Sequence, residues 1–237
     1  MQKPRKSVIL QHMTILYEDN HLLIVSKPHG VPSQGDETGD TCMVDIAREY
    51  IRDTYQKPGN IYVALLHRLD RPTGGILMLA KTSKAAERMS KMFQLHAIQK
   101  TYYAITEHIP SPTSAELTHW LRKMPDKNQV RAYQHEVSDS KIAKLTYEVL
   151  ATKGSRALVA VKPTTGRQHQ IRVQMASIGC VLQGDVKYGR TTFNSDKNIA
   201  LFAKEVVFEH PTTKEMMRIT APLPDTDVWQ QFPAYLG

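Results

Sequence analysis

The chain has 237 residues, 41% of them hydrophobic and 23% charged, which is enough apolar material for a full core and excludes a disordered or low-complexity chain. A net charge of +8 favours an anionic partner: nucleic acid, an anionic membrane or an acidic protein. The two cysteines, Cys42 and Cys180, lie far apart and outside any ligand-spacing motif, which excludes a disulfide framework and a Cys-rich zinc site and fits a reducing cytoplasm. No apolar run approaches the length of a membrane span.

Residues 1–13 read as a loose, basic lead-in, and residues 14–237 as one domain. Thr14 to Tyr17 and His21 to Ser26 predict two short strands around Glu18-Asp19-Asn20. The continuous apolar run Leu22-Leu23-Ile24-Val25 marks the second as buried on both faces, and Pro28 and Gly30 end it. Thr41 can cap a helix to Tyr55, with Met43, Ile46, Ala47, Tyr50 and Ile51 on one face. Arg48, Arg52 and Lys57 then fall on a solvated face.

Apolar runs at Ile61 to Leu66 and Ile76 to Ala80 bracket the stretch His67-Arg68-Leu69-Asp70-Arg71-Pro72-Thr73-Gly74-Gly75. An acid between two arginines, on a turn forced by Pro and Gly, is a poor way to build a core. It is a good way to keep a carboxylate ionised and to present it to an anionic polymer. Ser83 can cap the next helix, to His96. Its cations Lys84, Arg88 and Lys91, with Lys81 just before it, are equally compatible with an RNA track and with plain solvation. Gln99 to Thr106 reads as a strand carrying Lys100-Thr101-Tyr102-Tyr103.

Residues 107–140 are polar and weakly patterned, which predicts loops and short strands. Lys144 to Ala151 and Arg156 to Lys162 form a hairpin around Lys153-Gly154-Ser155. A helix over Arg167 to Ile178 follows, closed by Gly179. It carries the third polar cluster, Gly166-Arg167-Gln168-His169-Gln170-Ile171-Arg172, with His169 and Arg172 three apart on one face. Ala200 to Phe208 and Met216 to Ala221 are the last strands. The fold class is α+β, with a mixed, largely antiparallel central sheet flanked by helices and an active-site cleft at their edges.

Four motifs in this order resemble the RluA-like family of RNA pseudouridine synthases: Lys27-Pro28-x-Gly30; His67-Arg68-Leu69-Asp70-x-x-Thr73-x-Gly75; Lys100-x-Tyr102-x-Ala104; and Gly166-Arg167-x-His169-Gln170-Ile171-Arg172 with Gly179, Gly184-Asp185 and Tyr188-Gly189 after it. Two positions depart from the family's pattern: Gly74, where Ser is usual, and Gln174, where His is frequent. The family-like strands begin near Thr14, so the small N-terminal RNA-binding domain of many relatives is not expected here.

The resemblance implies isomerisation of a specific uridine in tRNA or rRNA to pseudouridine, with no cofactor and no metal. It implies Asp70 as nucleophile, attacking C1′ or C6, Arg172 as its ion-pair partner and Tyr102 stacked on the base. It also implies base flipping, with Arg68 filling the vacated space. His67, Lys100, Arg167 and His169 complete the implied RNA-contact set. A compact stem-loop substrate, a monomer and a cytoplasmic location, with no membrane partner, are the remaining expectations. The competing reading is a non-catalytic RNA-binding or RNA-chaperone protein on the same fold. A zinc deaminase fails because the H-x-E and C-x-x-C spacing is missing.

Overall fold

The computed structural model describes residues 13–125, 128–189, 194 and 198–236. The expected lead-in, apart from Met13, lies outside the described residues. These contain eleven strands, three α-helices and a short 3-10 turn, an α+β fold as expected. Contacts group them into two compact units, one formed by the chain up to Ile98 with Glu205–Ala221, the other by Gln99–Lys204 with the chain from Pro222.

In the first unit β1 (Thr14–Glu18) pairs antiparallel with β2 (Leu22–Lys27), and β2 with β4 (Gly74–Ala80). Every residue of β4 is buried, and so is β2 except at Ser26. The β2–β4 register sets Lys27 opposite Gly75, so the Lys-Pro-x-Gly segment leaves its strand beside the turn that carries Asp70. The apolar run Ile61 to Leu66 forms a strand of only two residues, β3 (Ala64–Leu65).

Helix α1 (Met43–Tyr55) buries Met43, Val44, Ile46, Ala47 and Ile51. Its N-cap is Cys42 rather than Thr41, and no side chain caps it. Helix α2 (Ser83–Gln94) starts one residue after the true cap, Thr82, whose side chain accepts from the Ala85 amide. A hydroxyl must precede the first helical residue to reach the free amides of the first turn, which Thr82 does and Ser83 cannot. The end of β10 (Leu201–Glu209) pairs with β11 (Met216–Thr220).

The second unit contains an antiparallel sheet in the order β5 (Gln99–Thr106), β9 (Arg156–Pro163), β8 (Lys141–Lys153), β6 (Ser114–Lys123), β7 (Val130–Tyr133). The β8–β9 hairpin turns at Gly154, whose φ of 60° suits a two-residue loop. The ten-residue β6 overturns the expectation of loops and short strands. Its inward row runs through His119, a buried polar residue, and its outward row through Trp120, so the sequence alternation is hidden.

Helix α3 is Gln170–Ser177, three residues shorter at its start than the sequence predicts. The Gln170 side chain folds back instead: its Oε1 accepts from Thr165 Oγ1 at 2.8 Å and from the Arg167 amide at 3.0 Å. His169 is therefore the left-handed N-cap, with φ 53°, and does not share a helix face with Arg172. Residues Gln170 to Met175 are all buried, which explains why the helix shows so little amphipathic pattern.

Candidate active site

Asp70 is half-buried on a tight turn closed by the Thr73 amide donating to its carbonyl at 2.9 Å. Three groups from the 27–33 segment hold this turn. Lys27 Nζ and the Gly30 amide both donate to the Arg71 carbonyl, at 3.2 and 2.8 Å. The Ser33 hydroxyl accepts from the Leu69 amide at 3.1 Å and donates to the Leu69 carbonyl at 2.8 Å.

Lys27 is completely buried, and its ammonium also donates to the carbonyls of Pro28 at 2.9 Å and Val31 at 2.7 Å. Burial pushes its pKa down to about 7, against a raising pull from the Asp70 carboxylate and a further lowering by Arg71. The sequence suggests Arg71 as a cation flanking Asp70. Its guanidinium instead turns to Asp40 at 2.7 Å, Asp36 at 3.2 Å and Thr38 Oγ1 at 2.8 Å, ordering the loop over 36–40. Lys27 is a buried group that feels the Asp70 carboxylate, and sequence reasoning missed it because lysines are read as surface residues.

The neighbours of Asp70 have distinct settings. Arg68 is exposed. His67 accepts the Met78 amide on Nε2 at 3.1 Å and lies against the Phe93 ring, so it ties the turn to β4 and α2. Of the cations on and before α2, Lys81 is bound to Glu18 at 2.6 Å and Arg88 donates to the Pro211 carbonyl at 3.0 Å; both hold the fold together.

In the second unit, β5 carries Lys100 and Tyr102. Burial lowers the Lys100 pKa. Tyr102 packs on the apolar cluster that contains Ile171 and Leu182, while Tyr103 makes an edge contact with Tyr235. Tyr102 and helix α3 thus share one core.

Arg172 is 5% exposed and its Nε and Nη2 grip Asp185 at 2.7 and 2.8 Å, a bidentate buried pair. The same carboxylate accepts the Lys187 amide at 3.1 Å. Arg172 also lies over the ring of Tyr188 at 5.3 Å, a cation–π contact. The Tyr188 hydroxyl accepts the Val130 amide at 2.9 Å and is hydrogen-bonded to His169 Nδ1, 2.7 Å away. Arg167 is more exposed and donates from Nε to the Ile142 carbonyl at 3.0 Å. The roles of Asp185 and Tyr188 were signalled only by their place in the last motif.

Gln174, one of the two departures, is wholly buried. Its Nε2 faces the carbonyls of Leu117 and Ala143, both at 3.3 Å, and His119 Nδ1 at 3.1 Å, stitching α3 to β6 and β8. Among the described residues no group of three or more His, Cys, Asp or Glu could hold a metal ion, and no helix is long and apolar enough to cross a membrane.

The family model for RNA pseudouridylate synthase matches residues 21–177. The chain is 32% identical over 216 residues to the ribosomal large subunit pseudouridine synthase C of Buchnera aphidicola, covering 88% of this chain and 67% of that protein. It is also 32% identical to the uncharacterized RNA pseudouridine synthase YhcT of Bacillus subtilis, over 90% of this chain and 69% of that protein. The solved structure of human RNA pseudouridylate synthase domain containing 4 has the same fold, with a TM-score of 0.79 at 22% identity over 96% of this chain and 95% of the human one. The chain is therefore an RNA-modifying isomerase. It belongs to the RNA pseudouridylate synthase family.

Proposed function

We propose that this chain isomerises one specific uridine in a tRNA or rRNA stem-loop, with Asp70 as the nucleophile and residues 14–237 acting as a single catalytic domain. The observation that carries this reading is the turn at Asp70, whose backbone is held at Leu69 by Ser33, at Arg71 by Lys27 and Gly30, and at Asp70 itself by the Thr73 amide. A carboxylate used for covalent catalysis has to be ionised and pre-placed, because misplacing a reacting atom by about 1 Å costs on the order of 100-fold in rate.

The reaction breaks the C1′–N1 bond, turns the base and forms a C1′–C5 bond; C5 loses its hydrogen and N1 gains one. There is no redox change and no group leaves the RNA, so the chemistry calls for neither cofactor nor metal. Asp70 attacks C1′ or C6 of the flipped uridine. Arg172, oriented by Asp185, is assigned to the carboxylate, and Tyr102 to the face of the base, where it can also relay a proton. Arg68 is assigned to the gap left in the RNA, with His67, Lys100, Arg167 and His169 supporting RNA binding. The protein is proposed to work as a monomer in the cytoplasm.

Incubation with RNA carrying tritium at uridine C5 tests the reading. The protein releases tritium to water, and Asp70→Asn abolishes release while RNA affinity stays within several-fold. A fully active Asp70→Asn variant overturns the nucleophile assignment.

A further inference from the structure

Gly74 follows Asp70 by four residues and opens β4. Its φ is not positive, so the backbone there accepts any L-residue. The space does not. A Cβ on residue 74 would lie 2.6 Å from His29 Cε1, 2.7 Å from Nδ1 and 3.1 Å from Nε2. The volume a side chain at 74 would take is filled by the imidazole of His29.

His29 sits between the two groups that donate to the Arg71 carbonyl, Lys27 Nζ and the Gly30 amide. Those hydrogen bonds pull the turn toward the 27–30 segment at a single carbonyl. The imidazole in the side-chain space of residue 74 adds a close-packed contact after Asp70, and close-packed atoms resist displacement. With Ser33 clamping Leu69 on the other side of Asp70, the turn is fixed at both ends.

We infer that His29 is a positioning residue for the pseudouridine synthase reaction: its ring, seated on Gly74, sets the place of the Asp70 carboxylate, and the two residues work as a matched pair. This rests on the reading of Asp70 as nucleophile. Glycine at 74 is then required by the histidine at 29 and not by the turn itself.

The test is a double-substitution cycle with His29→Ala, Gly74→Ser and the combination, each in the full chain, read by single-turnover tritium release and by amide hydrogen exchange at Thr73. Gly74→Ser drives the ring off the turn and lowers kcat by about 100-fold with KM near that of the parent. His29→Ala loosens the turn and lowers kcat by about ten-fold. In the combination the serine side chain enters the vacated space, and kcat returns to within a few-fold of His29→Ala alone, a coupling that independent sites do not show.

Parental kcat in Gly74→Ser, or losses that simply multiply in the combination, overturns the pairing. If Gly74→Ser fails to fold, the combination, which carries no clash, decides the matter by its own rate. Thr73 exchange separates this inference from the one beneath it. Should Asp70→Asn prove active, the nucleophile assignment falls, while faster exchange at the Thr73 amide in His29→Ala, at an unchanged unfolding temperature, still establishes the ring's hold on the turn. Unchanged exchange overturns it.

Discussion

The hydroxyl of Ser33 takes the amide of Leu69 and gives its proton to the carbonyl of the same residue, so one buried side chain satisfies both backbone groups next to Asp70. Removing it leaves a buried amide and carbonyl unpaired at the root of the nucleophile, and such groups cost about 1–3 kcal/mol each. Ser33→Ala is expected to lower kcat for pseudouridine formation by about ten-fold or more, with little change in RNA affinity. Steady-state tritium release together with a filter-binding titration checks this.

Arg172 and Asp185 are 5% and 1% exposed, so neither can turn to water if the other is lost. Asp185→Ala removes the bidentate partner of a buried guanidinium and is expected to cost about 3–5 kcal/mol of stability, whereas replacing both residues with apolar ones of similar size costs far less. Urea unfolding of the two variants reads the difference. Tritium release should be lost in both, since Arg172 is absent or misplaced in each.

Gln174→Leu removes the amide that faces Leu117, Ala143 and His119, with an expected loss of about 1–3 kcal/mol in denaturant unfolding. The same network predicts a pH effect. The His119 ring is hydrogen-bonded through Nδ1 to Gln174 Nε2 at 3.1 Å and through Nε2 to Ser177 Oγ at 3.2 Å. Burial lowers its pKa below the ordinary histidine value. The unfolded chain therefore binds the proton first: stability is complete above about pH 6.5 and is lost as pH falls toward the folded value. Thermal unfolding across that range should show a falling midpoint, and His119→Gln should flatten the part of the slope due to this site.

Arg68 is exposed beside the half-buried Asp70. As a stand-in for a flipped base it matters only where there is a stack to repair. Arg68→Ala should slow the reaction on a structured stem-loop much more than on a flexible oligonucleotide. Equal losses on both would remove that role.

Much of this was legible in the sequence, for reasons that differ from residue to residue. Strand Gln99–Thr106 and the end of α1 at Tyr55 fall where the pattern places them, because apolar period and turn residues agree there. The motif around Asp70 was legible only in company with the other three motifs, because a carboxylate between arginines is by itself a common surface salt bridge. Strand β6 was hidden by His119, a polar residue pointing inward to meet Gln174 and Ser177. The start of α3 was misplaced because the Gln170 side chain folds back onto Thr165 and the Arg167 amide and holds residues 165–169 in a turn, a device with no fixed spacing signal. Arg71 was credited to Asp70 because neighbours in sequence are the only neighbours a sequence shows; its acids, Asp36 and Asp40, lie more than thirty positions away.

The burial of Lys27 has a consequence for chemical labelling. An amine with a pKa of about 7 is largely unprotonated under mildly alkaline conditions and would be among the most reactive lysines in the chain if a reagent could reach it. With no exposed surface, it is shielded while the first unit is closed. Acylating reagents should therefore mark the surface lysines at once and Lys27 only when that unit opens, so that its rate of modification, followed by mass spectrometry of the peptide that carries it, becomes an internal clock for local unfolding around the catalytic turn.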